Sequence, residues 1–198
     1  MNKAARLIST VFLPPTFSLF NFVFLNFYFL QNDFDLFLNL VITITATVIL
    51  PIIYFVLQRR RGIILDNDAV IKEQRNGTYL FTIIIFFIAA ILLLLNLAPA
   101  FVTALMLCYA VNTTLVYFVN AIYKISIHTF TAAGSFALFT LISPILSLVL
   151  FIILMLVMWS RIQLKVHTAG QVALGLVCGI SLTLIGMKYF VIILELWN

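Results

Sequence analysis

Between Arg75 and Lys124 the chain carries no charged side chain. A water-soluble domain carries about 25% charged residues. This chain of 198 residues has 9% charged and 65% hydrophobic residues. Too few polar side chains remain to cover a water-facing surface. A bilayer span takes ~20 apolar residues, roughly 17 to 25. Seven stretches meet that need: 12–31, 38–57, 78–97, 101–122, 126–142, 145–159 and 168–192. The alternating segments of ~10 residues that build a membrane β-barrel are not seen. The expected fold is all-α, a polytopic membrane helical bundle of six or seven spans forming one membrane domain over residues 1–198. Within it, 1–122 holds the N-terminal spans and a basic loop, and 123–192 holds the helices that carry the motifs.

Two places leave the count open. The first run begins FLPPTF, and its prolines permit a re-entrant or interfacial start. The fifth and sixth runs are short and separated only by Ser143-Pro144, a tight-turn pair. With seven crossings, Lys3, Arg6, Arg59, Arg60, Arg61, Lys72, Arg75, Lys124, Arg161 and Lys165 share one side, and Lys188 alone lies toward the other. Asp33, Asp35 and Glu195 fall opposite. The positive-inside rule then places the basic side in the cytoplasm. The net charge of +5 therefore reflects topology and does not point to nucleic acid. Cys108 and Cys178 both fall mid-span, which suits packing and suggests no disulfide framework. The N-terminal MNKAARLISTVFLPPTF has no small-x-small cleavage site and is expected to be retained.

The chemistry concentrates in two short segments. The chain has two histidines. His128 lies in YKISIHTF and His167 in WSRIQLKVHTAGQ, and each opens an apolar run from the same side. The two short runs between them return the chain to that side, so topology brings both rings to one membrane level. Lys124 stands four residues before His128, and Arg161 six before His167. Ionisable side chains at membrane depth are costly and tend to mark function. Two histidines without a third ligand make a poor zinc site, and no carboxylate cluster offers itself to a divalent cation. Two imidazoles among fixed cations suit an anion rich in oxygens, phosphate above all. His167 and Gln171 are four apart on one helix face. The Gln171 amide oxygen is placed to accept from one ring N–H and turn the other nitrogen toward substrate. That face continues through Gly175 and Gly179, whose G-x-x-x-G spacing lets another helix approach closely. Asn96, Asn112 and Asn120 are polar positions within spans, where hydrogen bonding between helices is the usual role.

Residues 160–171 read S-R-IQLKV-H-TAG-Q, and residues 125–128 read I-S-I-H. The pair resembles the type 2 phosphatidic acid phosphatase family, the membrane branch of the vanadium haloperoxidase superfamily. That family ends on SR-x5-H-x3-D and carries P-S-G-H in its middle motif. The resemblance covers about residues 120–192. It is similar in particular to a divergent bacterial subgroup that reads K-I-S-x-H and closes its last motif H-T-x-x-Q. The resemblance implies a six-helix core and a metal-independent phosphatase with no cofactor. His167 would attack phosphorus and His128 would protonate the leaving alkoxide. Arg161 and Ser126 would hold the phosphoryl oxygens, helped by Lys124 and by Arg75 from the loop 58–77. Gln171 would orient His167.

Three departures accompany this resemblance. The family's first motif, K-x6-R-P, is absent. Ile125 and Ile127 replace the middle motif's proline and glycine, and Gln171 replaces the terminal aspartate. The substrate implied is a membrane lipid phosphate monoester or pyrophosphate in a bacterial inner membrane. Phosphatidic acid, phosphatidylglycerol phosphate and polyprenyl pyrophosphate are the candidates. Two further readings stay open: a catalytically degenerate protein that binds anionic lipid or a membrane partner, and a small transporter.

Overall fold

The computed structural model describes residues 2–29 and 32–197. The protein is an all-α integral membrane protein, with no strand among the described residues. Its helices are α1 (Lys3–Val11), α2 (Pro14–Phe29), α3 (Asp33–Ile44), α4 (Leu50–Arg60), α5 (Asn76–Leu95), α6 (Ala100–Ile122), α7 (Ile127–Thr140), α8 (Pro144–Gln163) and α9 (Ala169–Trp197).

Five helical stretches among the described residues are long and apolar enough to cross a membrane: Asp33–Arg60, Lys72–Leu95, Ala100–Ile122, Pro144–Gln163 and Ala169–Leu196. A sixth arises if α1 and α2, bent by 42°, form one broken span. The bend falls before Pro14, which with Pro15 opens α2 where missing N–H groups cost nothing.

The fifth expected span, 126–142, is a helix of only 14 residues. At 1.5 Å per residue it reaches ~21 Å, short of a ~30 Å hydrocarbon core. Ser143 explains the early stop: its side chain caps α8 through Leu146 N–H, and Pro144 fixes that helix's first turn. The sixth run is correspondingly longer than its apolar stretch. α8 continues through Trp159 to Gln163 and carries Arg161 in its last turn.

Asp33–Arg60 is continuous across a π-helical turn at Thr45–Ile49. Pro51 gives the reason. In an α-helix its ring would meet the carbonyl four residues back. The wider turn absorbs that clash, and the Leu50 N–H bonds to the Thr45 oxygen instead.

The chain divides into two compact units. One comprises the residues up to Phe17 together with Ile122–Ile185. There α7 packs along α8, and α1 packs on α8 as well. α9 meets α7 through small side chains. A methyl group built at Gly179 would lie 2.4 Å from the Phe130 carbonyl oxygen, and one at Gly175 2.7 Å from that of Ser126. The G-x-x-x-G reading of α9 thus holds: bare glycine backbone lets α7 come this near.

The other unit comprises Ser18–Ala121 and the stretch from Gly186 onward. Aromatic contacts fill it: Tyr109 meets Phe22 at 5.3 Å and Phe86 at 5.7 Å between ring centres. Two of the span asparagines hydrogen-bond as expected, Asn96 Nδ2 donating to Asn39 Oδ1 at 2.9 Å and Asn120 Nδ2 to the Lys72 oxygen at 3.1 Å. Its polar loop is folded on a buried Ile64 and on Arg75, whose Nε donates to the Ala69 oxygen at 2.7 Å.

Candidate anion site of the first unit

Both histidine segments belong to the first unit, and the backbone joins them directly. The Ser126 N–H donates to the Gln171 carbonyl at 3.3 Å. Lys124 Nζ donates to the Val166 carbonyl at 2.9 Å. Residues 124–126 and 166–171 therefore run side by side, although about forty residues of α7 and α8 separate them. Two antiparallel turns, α7 to α8 and α8 to α9, make this possible: α7 and α9 begin at one level and are drawn together by their small faces.

His167 sits just before α9 and is buried, with 6% of its surface exposed. Its Nδ1 lies 2.9 Å from Gln171 Oε1. That same oxygen accepts the Thr168 N–H at 3.3 Å, while the Gln171 N–H donates to Thr168 Oγ1 at 3.4 Å. Thr168 and Gln171 form a reciprocal capping box at the start of α9. This arrangement decides a proton position. A backbone N–H only donates, so the Gln171 atom it meets is the oxygen, not the amide nitrogen. An oxygen accepts, so Nδ1 of His167 carries hydrogen. In the neutral ring the lone pair is then on Nε2.

Ser126 is fully buried at the head of α7, and its Oγ lies 3.0 Å from Thr129 Oγ1. His128 follows in the first turn of α7, half-buried. Lys124 is partly buried and held by the Val166 carbonyl. Arg161 has no exposed surface and donates through Nη1 to Ser9 Oγ of α1. It sits in the last helical turn of α8, where the macrodipole favours a cation. Lys165 ends that helix at φ +56°, a left-handed residue that turns the chain toward His167. Arg75 belongs to the second unit, where its guanidinium closes the polar loop on Ala69 and Asp68.

The charge balance of the first unit is one-sided. It contains Lys3, Arg6, Lys124, Arg161, Lys165 and both histidines, and no aspartate or glutamate. Such a site is suited to an oxyanion. Among the described residues no three His, Cys, Asp or Glu side chains gather to hold a metal ion.

Sequence reading identified the Gln171–His167 pair from its spacing, yet two partners escaped it. Thr168 was legible: T-x-x-Q ahead of an apolar run is a capping-box pattern. Ser9 was not, because nothing local in KAARLISTV signals that it meets a residue 152 positions away.

No protein-family model, curated protein or solved structure matches this chain.

Proposed function

We propose that this protein is a lipid phosphatase of a bacterial inner membrane, a divergent member of the type 2 phosphatidic acid phosphatase family. It hydrolyses a phosphate monoester or pyrophosphate of a membrane lipid such as phosphatidic acid, phosphatidylglycerol phosphate or polyprenyl pyrophosphate. One observation carries the reading: His167 Nδ1 is held by a Gln171 oxygen whose direction Thr168 dictates, which leaves Nε2 as the nucleophilic nitrogen.

The reaction follows from those groups. Nε2 of His167 attacks phosphorus, an N–P bond forms, and the bond from phosphorus to the lipid oxygen breaks. His128 gives its proton to the departing oxygen. Water then attacks the phosphohistidine and His128 takes a proton from it; the N–P bond breaks and inorganic phosphate leaves. Arg161, Lys124 and Ser126 hold the non-bridging oxygens, where cations meet developing charge. Proton transfer by a positioned residue contributes roughly 10²–10⁴-fold.

Phosphate release from the three lipids in vesicles tests the reading. The wild type should release phosphate from at least one, and His167→Ala should release none. Equal release by both proteins would refute it.

A second reading rests on the same amide. The Gln171 side-chain oxygen serves as helix cap and hydrogen-bond acceptor, and it offers no negative charge to a charged imidazole. A catalytically silent protein that binds anionic lipid would keep the pocket and lack the turnover. Gln171→Glu separates the two. It preserves the capping box and supplies the carboxylate, so a silent pocket would gain turnover that the wild type lacks.

A further inference from the structure

The N-terminal helix α1 brings two features to this unit. It buries Ala5 and Ser9, one turn apart, and packs on α8. Ser9 accepts from Nη1 of Arg161, and both residues are almost wholly buried. A guanidinium on a long, flexible side chain needs fixing before it can meet a planar set of oxygens. The hydrogen bond accepted by Ser9 helps set the plane of the group. Arg6 lies three residues before Ser9, and helical spacing puts it on the flank of the same face. It is half-buried, so that face carries a cation as well as the hydroxyl.

We propose that α1 is a working part of the anion site: Ser9 is a positioning residue for Arg161, and Arg6 adds cationic charge from the same helix. The proposal rests on the phosphatase reading for the identity of the anion, a phosphoryl group. It adds to that reading a component that lies outside both histidine segments. Substitution at Ser9 should therefore weaken oxyanion affinity in the folded protein, in addition to any loss of fold stability.

Orthovanadate serves as the probe, its binding followed by vanadium NMR on the full chain in detergent, with thermal melting measured in parallel. Ser9→Ala should weaken vanadate binding by roughly 10-fold, the factor that about 1.4 kcal/mol represents. Ser9→Thr, which keeps the acceptor, should restore most of it. Ser9→Cys fills the same space with a poor acceptor and should behave like Ser9→Ala. Arg6→Gln should weaken binding by a smaller factor. On a lipid that the protein hydrolyses, the Ser9→Ala loss should fall on KM more than on kcat.

Cysteine at position 9 binding vanadate as tightly as wild type would overturn the positioning role, because packing alone would then account for Ser9. If Arg161→Lys lost vanadate while every Ser9 variant kept it, α1 would be excluded from the site and the phosphatase reading would stand. A wild type that neither binds vanadate nor releases phosphate would end both.

Discussion

Nδ1 of His167 and Oε1 of Gln171 lie 2.9 Å apart, four residues along the chain, at the first turn of α9. The contact does two jobs with one oxygen. It caps the helix through the Thr168 N–H, and it sets which ring nitrogen carries the lone pair. The pair also locates the weak point of the proposed chemistry, since an amide orients a ring without balancing its charge.

Replacing Gln171 tests this division of labour. Gln171→Glu keeps the reach to Thr168 and places a carboxylate beside the imidazole, which stabilises its charged form. The kcat for lipid phosphate hydrolysis should rise by roughly 10-fold. Gln171→Leu removes the acceptor and frees the ring to adopt the wrong tautomer. A fall of roughly 100-fold or more is expected, as for other histidines that lose their orienting partner.

Lys124 joins the two motif segments through the Val166 carbonyl. Lys124→Met keeps the apolar stem and removes both the bond and the charge. Hydrogen bonds from a charged donor contribute about 1.5–3 kcal/mol, so the melting temperature should fall. Binding of the phosphorylated lipid should suffer as well, with KM rising by roughly 10-fold, as expected for a lost charge-assisted contact. Steady-state kinetics and thermal melting on the same preparation separate the two effects.

The close approach of α7 and α9 predicts a contrast between two glycines. A methyl group at position 179 would stand 2.4 Å from the Phe130 oxygen and 2.8 Å from Ala133 Cβ, neither of which can swing away. Gly179→Ala should destabilise the protein by about 1–3 kcal/mol, the usual cost of overpacking. At Gly170 the nearest atom is the Tyr123 hydroxyl at 3.1 Å, the far end of a mobile side chain. Gly170→Ala should leave melting nearly unchanged.

The long spans were readable in the sequence because the bilayer demands apolar length, which any window of residues displays. Helix limits near the site were less readable, since packing set them. The run 126–142 looks span-like, yet α7 ends at Thr140 because Ser143 and Pro144 begin α8. Arg161 looks like the start of a polar loop after a span ending at 159. It is instead helical and buried, because Ser9 satisfies part of its guanidinium. A tertiary partner of that kind leaves no periodic trace. The orienting role of Gln171 was legible from i, i+4 geometry, whereas its second role as a cap was missed, although T-x-x-Q displays it. Arg75, expected to stand in for the missing first motif, donates to the Ala69 and Asp68 carbonyls of its own loop, a fold-back that no local pattern announces.

The most direct test is to catch the phosphorylated enzyme. Protein turning over a lipid phosphate in vesicles is quenched in alkali, where phosphohistidine survives, digested, and sequenced by mass spectrometry. The account predicts a phosphoryl group on His167, attached at Nε2 by phosphorus NMR, and none in His167→Ala. Phosphate released at the wild-type rate with His167 unmodified, or a phosphoryl group found on another residue, would contradict it.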